Sequence, residues 1–174
     1  MKNADHRDTT FTRRQILRAI GAGGLAAGFP AIVPSSVLGK DAPSNQITIA
    51  MIGMGRQALY ANLEPFLNSA DARVVAVCDV DRWRLEQAKQ AVDQHYQNGD
   101  CRAYADWREV LTRTDIDAVM NSTPDHWHVP ISLAAVRLGK HVSCEKPLTL
   151  SVAEGRVLAD AVKKHGVTFR TDSE

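Results

Sequence analysis

Cysteine is scarce and unpatterned in this chain: Cys78, Cys101 and Cys144 form an odd set with no Cys-x-x-Cys spacing. A disulfide framework is therefore excluded, and because two of the three lie in or beside apolar runs, buried free thiols are expected. Charge of one sign is also missing. A formal net charge of +1, with arginines scattered rather than gathered on one face, gives no field that would draw nucleic acid, so nucleic-acid binding is not expected. Long apolar runs are short supply too. The stretch at residues 19–33 is shorter than the roughly 20 residues a membrane-spanning helix needs, and Gly21, Gly23, Gly24, Gly28 and Pro30 make it a poor helix. No stable membrane anchor is expected. There is no internal repeat. What remains is 174 residues at 44% hydrophobic and 24% charged, the composition of an ordinary soluble domain with a real core.

The N-terminal segment reads as an address. Thr12-Arg13-Arg14-Gln15-Ile16-Leu17 ahead of the weakly apolar stretch resembles a twin-arginine export signal, which implies the twin-arginine translocation machinery as a partner and a periplasmic or other extracytoplasmic location after cleavage. The small residues at Val37-Leu38-Gly39 suggest a cut before Lys40, giving a signal over 1–39, a linker over 40–45 and a nucleotide-binding domain over 46–174. A decoy lies within the signal. Gly21-Ala22-Gly23-Gly24-Leu25-Ala26 fits G-x-G-x-x-A, but no strand precedes it, and Pro30 and Pro34 interrupt the helix and strand that should follow.

From Gln46 onward apolar β-branched runs alternate with helical patterns. Strands are expected over 47–52, 73–78, 102–104, 117–122, 141–144 and 167–170, and helices over 57–68, 82–96, from Asp106, 129–138 and 152–164. Asp81 and Asp106 suit N-caps, and Gly139 and Gly166 fall where helices should end. This alternation implies right-handed βαβ units in an α/β fold, a Rossmann-type doubly wound parallel sheet.

Gly53-Met54-Gly55-Arg56-Gln57-Ala58 directly follows the first strand and opens the first helix, where glycines make the tight turn and admit a pyrophosphate to the helix N-terminus. Gly53, Gly55, Arg56 and Gln57 are the expected cofactor contacts. Asp79, twenty-six residues after Gly53 at the end of the second strand, is placed to accept hydrogen bonds from the adenosine ribose hydroxyls and to repel a 2′-phosphate, which favours NAD over NADP. Arg82 and Arg84 nearby weaken that preference. With Asp81 as the cap of the next helix, Asp79 is left free.

Gly53-Met54-Gly55, Cys78-Asp79, Ser122-Thr123-Pro124-Asp125-His126-Trp127-His128 and Glu145-Lys146-Pro147 together resemble the glucose–fructose oxidoreductase / inositol dehydrogenase (Gfo/Idh/MocA) family, over about residues 46–174. The resemblance implies an NAD(P)-dependent oxidoreductase of a sugar, polyol or related hydroxy compound. It implies that Ser122, Thr123, Pro124 and His126 pass close to the cofactor, that Trp127 walls the nicotinamide or substrate side, and that Glu145 bonds the nicotinamide-side ribose. Lys146 would be catalytic, its ammonium stabilising charge on the substrate oxygen as hydride leaves. Core packing is the alternative for Trp127, capping or packing that for His126 and His128, and two histidines do not make a metal site.

The family's second, substrate-binding domain is expected to be absent from this sequence, which reaches only Asp172-Ser173-Glu174 after the last expected strand, and no general base is identified. A sheet or helix edge exposed in that way is expected to promote association between copies. Two other functions fit the same residues: a redox-type glycoside hydrolase using tightly held NAD, and a non-enzymatic nucleotide-binding remnant.

Overall fold

The computed structural model describes residues 45–173. The export signal, its cut site, the glycine decoy and all of the linker but Asn45 lie outside these residues.

Six strands form one sheet: β1 (Ile47–Ile52), β2 (Ala72–Cys78), β3 (Arg102–Tyr104), β4 (Ala118–Asn121), β5 (His141–Glu145) and β6 (Phe169–Asp172). All pairings are parallel, in the order β3-β2-β1-β4-β5-β6. The expected doubly wound sheet is therefore the observed one. Helix α1 joins β1 to β2: it opens as α-helix at residues 56–57, where the Leu59 N–H donates to the Gly55 carbonyl, widens into a π turn (Ala58–Asn62) and runs on as α-helix (Leu63–Leu67). The others are α2 (Arg82–Tyr96), α3 (Trp107–Leu111), α4 (Asp125–Arg137) and α5 (Val152–His165).

The chain marks its own helix ends. Asp81 accepts from the N–H groups of Trp83 and Arg84, Asp106 from Arg108, and Ser151 from Glu154, each satisfying donors that the first helical turn leaves open. At the far end of α5, Gly166 takes the left-handed conformation (φ 66°) that closes the helix. Most boundaries agree with expectation within one residue; the start of α4 and both ends of β6 lie further off. Helix α4 starts at Asp125 rather than 129, because Pro124 in extended backbone serves as its N-cap and Asp125 brings a carboxylate to the first turn. Strand β6 starts at Phe169 rather than 167, since pairing with β5 begins where the Val142 N–H meets the Thr168 carbonyl.

Two apolar layers sandwich the sheet. Ile49, Met51, Val74 and Met120 face α1 and α2, while Ile52, Val119, Val142 and Cys144 face α3, α4 and α5. The alternation slips once in β2, where Ile49 pairs with Val74 and Ala50 with Ala76, leaving Val75 as the extra residue of a bulge. Right-handed crossovers put α1 and α2 on one side and the later helices on the other. The α1 side of β5 and β6 consequently carries no helix among the described residues. A concavity of about 760 Å³ opens there, lined by Ser143, Glu145, Arg170 and Asp172.

All three cysteines are buried and free, as expected. Burial chiefly, with Asp79 next, pushes the Cys78 thiol up from 9.0 to about 12, and burial likewise lifts Cys101 and Cys144 to about 11. The folded chain thus keeps protons that the unfolded chain releases above pH 9, so stability falls as pH rises from 9 toward 12. Urea titrations should show a lower midpoint at pH 10.5 than at pH 8, with a smaller drop in Cys144→Ala. A thiol reagent at pH 7.5 should label none of the three cysteines until urea is added.

Candidate functional site

Strand register brings the ends of β1, β2, β4 and β5 level. Ile52 pairs with both Cys78 and Asn121, and Asn121 pairs with Cys144. The residues that follow, Gly53, Asp79, Ser122 and Glu145, therefore emerge at one edge, at the carboxyl ends of the strands. The strand order reverses between β1 and β4, which is where an open α/β sheet holds its ligand.

Gly53 is fixed by this reversal. Its φ is +85°, and a Cβ there would lie 2.7 Å from the Thr123 nitrogen and 2.8 Å from the Ser122 carbonyl. No side chain fits. Its N–H donates to the Cys78 carbonyl at 2.8 Å, and the Ser122 N–H donates to the Ile52 carbonyl at 2.8 Å, so three strand ends are laced together. Gly55 differs, since a Cβ there would approach nothing nearer than the Arg84 guanidinium at 4.0 Å. Its bareness serves no contact within the chain and leaves a cradle at the mouth of α1. The N–H groups of Gly55, Arg56 and Gln57 lie in or before the first helical turn and have no carbonyl four residues back within it. A pyrophosphate fits that place by charge and by space.

Asp79 stands across from this turn. One carboxylate oxygen accepts from the Met54 N–H at 2.6 Å and the other from the Asp81 N–H at 2.8 Å. Asp81 does cap α2, as expected, but Asp79 is not free: it holds the glycine turn against the end of β2. Each oxygen keeps a second lone-pair site for an incoming hydroxyl.

The β4 loop is built from below by buried polar groups. Asn121, fully buried, donates to the His128 carbonyl (3.1 Å) and the Ser132 hydroxyl (3.2 Å) and accepts from the Thr123 hydroxyl at 2.7 Å. His128, 1% exposed, sets its two ring nitrogens 2.7 Å from the Thr123 and Pro147 carbonyl oxygens. It clasps the β4 loop to the β5 loop. Its neighbour His126 is exposed, as two residues apart on a helix requires. Trp127, 38% exposed, meets Trp107 edge-on with centroids 6.3 Å apart, and the Arg108 guanidinium lies 4.4 Å over Trp107. Trp127 is thus a wall residue, not a core aromatic.

A groove of about 690 Å³ runs along this edge, lined by Gly53, Gly55, Arg56, Gln57, Asp79, Ser122, Thr123, Pro124, His126 and Trp127. Ten sequence-predicted residues are thereby brought together. Glu145 and Lys146 do not line it. Glu145, 7% exposed, turns toward α1 and accepts from Asn62 Nδ2 at 2.8 Å and, more weakly, from the Lys146 N–H at 3.2 Å. Lys146 is exposed at the next position, joined to Pro147 by a cis peptide bond. The sequence reading missed Asn62, Asn121, Trp107 and Arg108. Asn121, at the end of a strand run, carried a faint signal, being a polar residue in an apolar stretch; the others carried none without the fold.

The profile of the Gfo/Idh/MocA oxidoreductase family, described as an NAD-binding Rossmann fold, matches residues 47–173. A Glycosyl hydrolase family 109 protein from Saccharopolyspora erythraea is 32% identical over 94% of this chain, which spans 39% of that protein. Among solved structures, myo-inositol 2-dehydrogenase from Lactobacillus plantarum superposes with a TM-score of 0.65 at 26% identity, over 73% of this chain and 36% of that one. The 3-ketoreductase KijD10 from Actinomadura kijaniata, solved with NADP, superposes with a TM-score of 0.66 at 24% identity, over 73% of this chain and 38% of that one. The chain thus spans well under half the length of these proteins.

Adding one methyl at Gly53 tests how tightly the site is closed. Gly53→Ala should lose about 2–4 kcal/mol, from left-handed backbone strain plus the backbone clash, and urea denaturation should show it. Gly55→Ala, with open space around its Cβ, should stay within about 1 kcal/mol of the parent.

Proposed function

We propose, for a chain that belongs to the Gfo/Idh/MocA oxidoreductase family, that it is the cofactor domain of an exported NAD-dependent oxidoreductase acting on a sugar, polyol or related hydroxy compound. One observation carries the reading: Asp79 faces a side-chain-free turn at the sheet's reversal point, in a groove sized for a dinucleotide.

Bound there, the dinucleotide supplies a hydride acceptor. The chain's own residues do the rest. Gly53 and Gly55 let the backbone approach the pyrophosphate, and the first N–H groups of α1 face its charge. Asp79 accepts from the adenosine ribose. Its charge repels a 2′-phosphate, and Arg82 is engaged with Glu86 at 2.8 Å, whereas Arg84, 3.8 Å from Asp81, lines the groove and weakens the preference without reversing it. This supports NAD over NADP. Glu145, at the end of β5 beside the groove rather than in its lining, would accept from the nicotinamide-side ribose as the family resemblance implies, and Trp127 would shield that end of the groove from water. Lys146, on the exposed loop after β5, holds its Nζ proton toward the substrate oxygen, stabilising negative charge there as the carbonyl forms. The group that takes the alcohol proton belongs to the substrate side.

The likeness to a family 109 glycosyl hydrolase favours a second reading, in which the same oxidation is transient and precedes loss of an aglycone. Glycoside cleavage without net NADH accumulation marks that reading. Steady NADH release marks the first.

Fluorescence titration should show that the chain binds NADH, and that Asp79→Ala weakens binding at least about tenfold, as loss of charge-assisted hydrogen bonds implies. No binding by the parent sinks the proposal. Export rests on Arg13-Arg14 before the Gly/Ala-rich stretch. A reporter fused after residue 45 should leave the cytoplasm, and Arg13→Lys with Arg14→Lys should keep it there; export of both fusions alike would refute this part.

A further inference from the structure

Helix α1 contains one turn wider than an α-helix. The Leu63 N–H donates to the Ala58 carbonyl five residues back, which is π closure. Single π turns cluster at functional sites, and this one has a visible effect on direction. Ala58, Asn62 and Leu63 are 0%, 8% and 2% exposed, so residues i, i+4 and i+5 all point inward. In an α-helix, at roughly 100° per residue, i+5 would stand well to one side of i. The wide turn lets Leu63 enter the apolar layer while Asn62 points to the site.

Asn62 divides its amide protons between two loops. Nδ2 donates to the Ser122 hydroxyl at 2.9 Å and to Glu145 Oε1 at 2.8 Å. Glu145 has no cationic partner among the described residues. Its side-chain position therefore rests on the Asn62 amide and on the Lys146 N–H. A buried carboxylate held by so few donors depends strongly on each.

We propose that Asn62 is a positioning residue: from the π turn of α1 it sets the Glu145 carboxylate and the Ser122 hydroxyl at a fixed separation, so that both meet the nicotinamide half of the cofactor. This rests on the cofactor reading above. Asn62 itself touches neither cofactor nor substrate. Its effect should fall on one half of the dinucleotide, because the adenosine half meets Asp79 and the glycine turn instead.

Isothermal titration of the whole chain with NADH and with ADP tests this. Asn62→Ala should weaken NADH at least fivefold and leave ADP within twofold of the parent. Equal loss of both probes, as from a general lesion, or loss of neither, overturns the proposal. Asn62→Asp is nearly isosteric and sets a second carboxylate against Glu145. Such a pair shares one proton at low pH and repels at high pH. The ratio of variant to parent NADH dissociation constants should therefore fall at least fivefold from pH 8.5 to pH 6.0, and a flat ratio overturns the proposal. Either variant decides alone if the other does not fold. A parent that binds ADP but not NADH also overturns it, and a parent that binds neither removes the cofactor reading on which it stands.

Discussion

Between the ends of β1 and β4 the two backbones come so close that the space a Cβ would need at Gly53 is already filled by Ser122 and Thr123, 2.7–2.8 Å away. The sheet order reverses at this place, and a reversal ordinarily leaves a crevice. Here the lower part of the crevice is shut by backbone and the upper part is open. The groove therefore has a floor made of main chain, with N–H groups and carbonyls at fixed positions. The tight turn, the start of α1, the seat of Asp79 on Met54 and the course of the Ser122–Pro124 strip all follow from that contact. Gly55, two residues on, shows the contrast: its missing side chain answers to no neighbour, so it is room for something else.

Above this floor the loops are held by buried polar side chains as well as by apolar packing. Asn121 and His128 are both buried beneath the site; Asn121 bonds to α4 and to Thr123, and His128 sets its ring nitrogens against the Thr123 and Pro147 carbonyls of two loops. Among the described residues no buried side-chain polar atom lacks a partner. A satisfied network of this kind resists displacement, since moving any loop would strand a buried donor or acceptor at a cost of about 1–3 kcal/mol. Arms of β4 and β5 that would otherwise be ordinary surface loops are thereby made part of the rigid frame.

The strands and most helix limits were legible in the sequence because they depend on local chemistry: β-branched apolar runs, aspartates before helices, glycines after them. The site was legible where its parts lie at strand ends, as Gly53, Asp79 and Ser122 do, since the fold alone carries such residues to one edge. Three kinds of information were not legible. The start of α4 turned on Pro124 acting as a cap, which puts Asp125 to His128 in the helix ahead of Pro130. The engagement of Asp79 by Met54 needs the distance between two turns, which no spacing rule contains. The π turn of α1 is one residue of extra winding, and neither composition nor periodicity distinguishes it from α-helix. Each of these is a question of where a group points, and sequence patterns specify faces better than directions.

The two carboxylates of the site share a feature that bears on what they can bind. Asp79 and Glu145 each accept N–H donors, and neither lies in an ion pair among the described residues. A guanidinium would occupy both oxygens with its fork and cancel the charge. One N–H per oxygen fixes the carboxylate just as firmly in direction while leaving acceptor capacity on each oxygen and the negative charge uncancelled. That is the arrangement needed to receive hydroxyl donors, because a sugar hydroxyl gives a proton to an acceptor and gains most from a charged one. It is also selective, since the same uncancelled charge disfavours an added phosphate. Holding acids with amides instead of cations thus leaves both carboxylates with acceptor capacity, a consequence of how the strand ends are tied together.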